Sequence, residues 1–252
     1  MKPTTSTTTL LAAILAISCP LTTSHPLPQL STTSSTSSSS TSATQQNGIT
    51  SPSTGSNACT ATTLIFARGT FELSNMGSIV GPSLASDLAK LLSSSSTNNQ
   101  LTIQGVNYAA DVAGIFAEIT GGTGTAAMVA EARAVMQKCP DTKVVLSGYS
   151  QGAMVVHNAV KALKGDGVEM GRVAAAVTFG DPFKSVALEG VDKARFKTFC
   201  ATGDPVCGLG GVSALTSMVS SGGDQSSSTL SHLGYGADAP AAAKFIQEQL
   251  SA

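Results

Sequence analysis

The 252-residue chain has no excess of charge of either sign, with 14 basic side chains against 15 acidic ones and a net charge of −1. Without a positive field nothing steers it toward phosphates, and nucleic acid is not an expected partner. Long apolar runs are also missing. The longest, Leu10 to Ile17, falls well short of the ~20 residues a bilayer span needs, so stable membrane insertion is not expected. Histidine is scarce, with three in the chain, and none lies at ligand spacing from a cysteine. A zinc site is therefore not expected, nor any other metal or organic cofactor. There is no Asn-x-Ser/Thr sequon, no internal repeat, and no insertion between apolar segments large enough to form a cap domain.

What is present divides the chain into three stretches. Lys2, a Ser/Thr segment and the short run from Leu10 to Ile17 read as a cleaved secretory signal within residues 1–24, with small residues at Ser18 and Ser24 as alternative cleavage points. Residues 25–57 are dominated by Ser and Thr with almost no large apolar side chains. Such a leader cannot bury enough surface to offset its ordering entropy, and its composition suits O-glycosylation. Residues 58–252 are long enough for one substantial core. The protein is expected to be extracellular and monomeric. Of five cysteines, Cys19 falls in the signal, leaving Cys59, Cys139, Cys200 and Cys207. In an oxidising compartment four cysteines imply two disulfides with three possible connectivities. Spacing favours Cys200 with Cys207 around a short loop, and Cys59 with Cys139.

Apolar, β-branched runs at Thr62–Phe66, Leu101–Val106, Lys143–Ser147, Val173–Phe179 and Phe196–Ala201 predict strands. Helical patterns at 81–92, 123–137, 152–163 and 240–250 alternate with them. Alternation of this kind requires crossover connections, hence an α/β fold: a three-layer α/β/α sandwich on a central parallel sheet, of α/β-hydrolase type without a cap.

One of these strands runs directly into Gly148-Tyr149-Ser150-Gln151-Gly152, which runs directly into a helical pattern. This is the order in which a G-x-S-x-G turn lifts a serine hydroxyl above a sheet and puts a helix N-terminus beneath a developing oxyanion. A nucleophilic serine needs a base. His25 lies in the leader, and His157 is seven residues along the same helix, or ~10 Å at 1.5 Å per residue, too far to bond Ser150. His232 remains, in a predicted loop ahead of the last helix. The third member should be a carboxylate between Ser150 and His232 in the chain. Asp204, inside the segment from Cys200 to Cys207, is the leading candidate, and Asp181 in Gly180-Asp181-Pro182-Phe183 is the main rival. An oxyanion hole needs two preorganised donors. The N–H of Gln151 supplies one, and Thr70, just past the first strand, supplies the other.

Taken together, Ala67-Arg68-Gly69-Thr70 with Glu72, the Gly148 to Gly152 motif, Cys200 through Gly203-Asp204 to Val206-Cys207, and His232-Leu233 with Tyr235-Gly236 resemble the cutinase family of fungal serine esterases. The resemblance runs from Cys59 to the C-terminus. It implies an extracellular carboxylic ester hydrolase with a triad of Ser150, Asp204 and His232, oxyanion donors at Thr70 and Gln151, and the two disulfides already favoured by spacing. Asp181 then yields to Asp204. In the family's best-known pattern an Asn supports the oxyanion residue, whereas Tyr108 to Gly122 here contains none. Without a cap, Ser150 is expected to be open to solvent and able to meet an insoluble polymer. Tyr149, Val206, Leu209 and Leu233, with Ile115 and Phe116, are expected to face acyl chains. The expected substrates are cutin or similar aliphatic polyesters and short acyl esters. The alternatives are a deacetylase like the related acetylxylan esterases, and a catalytically silent binding or elicitor protein on the same scaffold.

Overall fold

The computed structural model describes residues 59–94, 101–208, 210–222 and 227–252. The signal and leader expected over 1–57, the domain start at Ala58 and the candidate Leu209 lie outside the described residues.

Five strands, β1 (Thr62–Ala67), β2 (Leu101–Gly105), β3 (Lys143–Tyr149), β4 (Val173–Phe179) and β5 (Phe196–Phe199), form one sheet in the order β2-β1-β3-β4-β5. Every neighbouring pair is parallel. The long crossovers carry α1 (Gly81–Ser93), α2 (Val112–Ala117), α3 (Thr123–Lys138) and α4 (Gln151–Gly165), followed after the sheet by α5 (Gly211–Ser220), α6 (Ser227–Leu233) and α7 (Ala239–Ser251). The expected strands and four long helices are found with small shifts at their ends. Helices α2, α5 and α6 were not expected.

The period-2 alternation of strand side chains sorts the core onto two faces. Ile65, Val144 and Leu146 point toward α3 and α4, where Met128, Val135, Val156 and Val160 meet them. Leu64, Phe66 and Val145 point toward α1 and α7, against Leu84, Leu88, Ala242 and Ile246. In β4 the pairing register slips, Val144 matching Val173 and Val145 matching Ala175. Ala174 is the extra residue of a bulge, so Val173 and Ala175 end on opposite faces despite their even spacing. Each fully buried Leu or Val in these layers contributes about 1.5–3 kcal/mol of transfer free energy.

Disulfides join Cys59 to Cys139 and Cys200 to Cys207, with Cα separations of 5.5 and 5.7 Å. The first ties the start of the described chain to the C-terminal end of α3. The second clamps the loop after β5. Among the described residues no helix is long and apolar enough to cross a membrane.

From β1 the chain moves outward to β2 and then returns to the other side of β1 as β3. This reversal leaves a crevice at the carboxyl ends of β1 and β3, the place where open parallel sheets bind ligands. Ser150 follows β3 and Thr70 follows β1, so the topology alone brings both to one spot.

Candidate active site

Ser150 joins β3 to α4 with φ 57° and ψ −119°, a conformation a non-glycine residue holds only where its surroundings enforce it. The flanking glycines make the turn possible through close approach. A Cβ on Gly148 would stand 2.1 Å from the Gly152 carbonyl oxygen, and one on Gly152 would stand 2.0 Å from that of Ala67. The Ser150 N–H donates to the Phe179 carbonyl at 2.9 Å, pinning the turn to the end of β4.

The Ser150 Oγ lies 2.9 Å from His232 Nε2, and His232 Nδ1 lies 2.8 Å from Asp204 Oδ2. With Nδ1 donating to the carboxylate, Nε2 is left to accept the serine proton. Asp204 Oδ1 accepts the Val206 N–H at 2.8 Å, and the Tyr235 hydroxyl donates to Oδ2 at 2.6 Å. Burial works to raise the Asp204 pKa. The bonds from His232, Tyr235 and the Val206 N–H outweigh it and hold the carboxyl below its ordinary value. The imidazole is supported from behind by Tyr149, whose ring stacks on it at a centroid distance of 5.2 Å and whose hydroxyl donates to the His232 carbonyl at 2.8 Å. His232 sits near the C-terminal end of α6 and not in a loop: residues 227–233 form a helix that leads into the 3-10 segment Gly234–Asp238.

On the other side of Ser150 lies the segment after β1, which carries Thr70. Arg68 threads across it, donating from Nε to the Glu72 carbonyl at 2.9 Å and from Nη2 to the Tyr108 carbonyl at 2.6 Å, while the Tyr108 hydroxyl donates back to the Arg68 carbonyl. The Glu72 carboxylate accepts the N–H groups of Gly69 at 2.6 Å and of Ser78 and Ile79 at 2.8 Å. Thr70 is thereby held facing α4, and its hydroxyl donates to the Gln151 side-chain Oε1 at 2.9 Å. Gln151 opens α4, so its own N–H has no intrahelical acceptor. Where the segment Tyr108 to Gly122 has no asparagine, Thr70 is bonded instead by the Gln151 side chain, and its segment is braced by Arg68 and Glu72.

The cutinase family profile matches residues 58–250. The chain belongs to the cutinase family. It is accordingly a carboxylic ester hydrolase. It is 46% identical over 193 residues to Cutinase 4 of Emericella nidulans, covering 77% of this chain and 73% of that one. Among solved structures it resembles a Trichoderma reesei cutinase in complex with a phosphonate inhibitor, at 35% identity and TM-score 0.62, covering 77% and 78% of the two chains. The catalytic core of a Trichoderma reesei acetyl xylan esterase shares the fold at 23% identity and TM-score 0.52, covering 76% of this chain and all of that one.

Some residues expected at this cutinase site lie elsewhere. Ser150 retains 2% of its accessible surface and His232 1%, where an open serine was expected. The segment between Cys207 and His232 holds α5 and most of α6, two helices that were not expected. Tyr149 is buried behind His232 and faces the α1 and α7 layer, because side-chain alternation along β3 turns it inward. Val206 is buried in a satellite cluster with Ile115, Met154 and Leu215, where α2 meets α5. Neither offers surface to a substrate. Leu233 and Phe116 are exposed, as are Phe71, Leu73 and Leu230. The rival carboxylate Asp181 is buried against the other helical histidine, with His157 Nε2 2.9 Å from its Oδ2. Two further donors, the Thr178 hydroxyl at 2.7 Å and the Phe183 N–H at 2.8 Å, complete its shell. The pairing of His157 was not foreseen.

Proposed function

We propose that this cutinase-family hydrolase is an exported serine esterase that cleaves the ester bonds of cutin or similar aliphatic polyesters, and short acyl esters, through Ser150, His232 and Asp204. The observation that carries this reading is the unbroken hydrogen-bonded line from Ser150 Oγ through His232 to Asp204, with contacts of 2.9 and 2.8 Å.

In the first half-reaction His232 Nε2 takes the Ser150 proton as Oγ bonds to the ester carbonyl carbon. The carbonyl electron pair moves onto oxygen, where the Gln151 N–H and Thr70 stabilise it. Asp204 holds the Nδ1–H tautomer and stabilises the imidazolium without taking its proton. Collapse of the tetrahedral adduct breaks the bond to the alcohol, which leaves with the proton from His232. Water, deprotonated by His232, then attacks the acyl-Ser150 ester, and collapse of that adduct breaks the bond to Oγ, which regains its proton from His232 as the acid is released. Glu72 and Arg68 keep Thr70 in place throughout, so the hole is formed before charge develops.

Exposed Phe71, Leu73, Phe116, Leu230 and Leu233 give the molecule apolar surface suited to aliphatic chains. Export is supported by the apolar run near the N-terminus and by two disulfides, which persist in oxidising compartments. The protein is read as a monomer. The deciding experiment compares wild type and Ser150→Ala for hydroxy fatty acid release from cutin, acetate release from xylan and p-nitrophenyl butyrate hydrolysis. Serine-dependent release from cutin exceeding that from xylan is expected. Activity indifferent to the substitution overturns the mechanism, and preference for xylan overturns the substrate.

A further inference from the structure

Asp204 Oδ2 receives two donors at once. His232 Nδ1 approaches it at 2.8 Å and the Tyr235 hydroxyl at 2.6 Å, while Oδ1 is occupied by the Val206 N–H. The Tyr235 oxygen in turn accepts the Ala201 N–H at 2.9 Å, just inside the loop closed by Cys200 and Cys207. Tyr235 is wholly buried, and its ring lies edge-on to His232 at 6.1 Å and tilted against Tyr149 at 6.0 Å. Its phenol therefore ties the disulfide-clamped loop, at both Ala201 and Asp204, to the turn that follows α6.

We infer that Tyr235 is a positioning residue of the proposed triad, acting on His232 through Asp204 by sharing the carboxylate oxygen that receives the imidazole N–H. The inference rests on the functional reading above. Two consequences follow from the shared oxygen. The phenol fixes the rotation of the carboxylate, which a single N–H donor to each oxygen would leave looser. It also draws negative charge from Oδ2, so that the imidazolium is stabilised less than it would be by an unshared carboxylate. The titratable groups facing this arrangement are Asp204 from the clamped loop, His232 from α6, Tyr149 from β3, Asp238 from Tyr235's own turn, and Glu72 from the segment after β1. Burial and the adjacent Asp204 carboxylate both raise the Tyr235 pKa, so it stays a proton donor through the working range.

The acid limb of kcat/KM for p-nitrophenyl butyrate reports the free His232. In Tyr235→Phe this limb is expected to move up by roughly half a pH unit, with kcat reduced about tenfold and KM little changed. Replacing Tyr235 with 3-fluorotyrosine, a stronger donor of nearly the same shape, is expected to move the limb the opposite way while the fold is kept. This second variant decides the matter if Tyr235→Phe fails to fold. A limb at the wild-type position in the fluorotyrosine protein, or shifts of the same sign in both variants, overturns the inference and leaves Tyr235 a packing residue. Ser150→Ala, measured alongside, separates the two levels: activity that survives it sinks the triad, whereas loss there with unmoved limbs sinks only the role of Tyr235.

Discussion

Thr70 and Gln151, 81 positions apart in the chain, meet side chain to side chain, the hydroxyl donating to Oε1 at 2.9 Å. The other end of the amide, Nε2, is buried and has no hydrogen-bond partner among the described residues. Turning the amide over would place Nε2 on the Thr70 oxygen and release the hydroxyl proton toward a developing oxyanion. Thr70→Val removes the hydroxyl and keeps the shape. It is expected to lower kcat for p-nitrophenyl butyrate by about 10²–10³ with KM nearly unchanged, as for loss of one oxyanion donor, while Thr70→Ser stays within a few-fold of wild type. Wild-type turnover in Thr70→Val would show that the hydroxyl does not matter, and a loss in Thr70→Ser as large as that in Thr70→Val would show that the hydroxyl alone is not enough.

The two buried His–Asp pairs invite a direct comparison of their carboxylates. Asp204→Asn replaces the acceptor that fixes the His232 tautomer, and kcat is expected to fall by on the order of 10³–10⁴. Asp181→Asn disturbs the bonds to His157 and Thr178 but leaves the line to Ser150 intact. It is expected to lower stability by about 1–3 kcal/mol while kcat stays within a few-fold of wild type. The pH dependence distinguishes them further. Because the Asp204 pKa is held below its ordinary value, its ionised form stabilises the fold above the ordinary carboxylate range, and that contribution disappears as pH falls through the lowered value. The destabilisation caused by Asp204→Asn, followed by denaturant melts, should therefore be largest near neutrality and shrink in acid. A kinetic loss greater in Asp181→Asn would reverse the assignment.

The disulfides divide stability from activity. Cys59–Cys139 spans a sequence separation of 80 and Cys200–Cys207 one of 7. On chain entropy their removal costs about 4–5 and about 2 kcal/mol respectively. Only the short loop carries Asp204. Paired Cys→Ser replacements should show the larger drop in melting temperature for Cys59 and Cys139, and the larger drop in kcat at a temperature where both variants are folded for Cys200 and Cys207. The opposite pattern would mean that Asp204 is held by Tyr235 and Val206 without help from the clamp.

The strands and the elbow were legible because their signals are local. Val144 to Ser147 is apolar and β-branched, the glycines around Ser150 are spaced for a tight turn, and His232 followed by elimination from three histidines. The missed elements are those whose signal is weak or distant. Helix α2 is six residues long, announced by Asp111, whose side chain accepts the Gly114 N–H at 2.7 Å. Helices α5 and α6 are rich in Ser and Thr, residues that favour turns when read locally. In α5 the stripe Val212, Leu215, Val219 finds a partner only once α2 and Val206 have been brought to it. The pairing of His157 with Asp181 had no local trace beyond a histidine among the apolar residues Val155, Val156, Ala159 and Val160 of α4. Its partner arrives only with the carboxyl end of β4.

Phe71 and Leu73 flank the brace residue Glu72 and are 63% and 81% exposed, a poor use of apolar side chains unless something apolar meets them. Phe71 also holds a positive φ of 62°, enforced in part by its N–H bond to the Ala110 carbonyl at 2.8 Å. The backbone is thus fixed while the side chains face outward beside Thr70. If these two side chains touch a polyester surface and not a single bound ester, the substitutions Phe71→Ser and Leu73→Ser together should separate the two kinds of substrate. Adsorption to a polyester film and release of its monomers should fall severalfold, whereas kcat/KM for p-nitrophenyl butyrate should stay near wild type, since Glu72 and its backbone donors are untouched. Matching losses on film and soluble ester would place the pair in the support of Thr70 instead. No loss on either would assign polymer contact to the other side of the crevice, where Leu230 and Leu233 stand exposed.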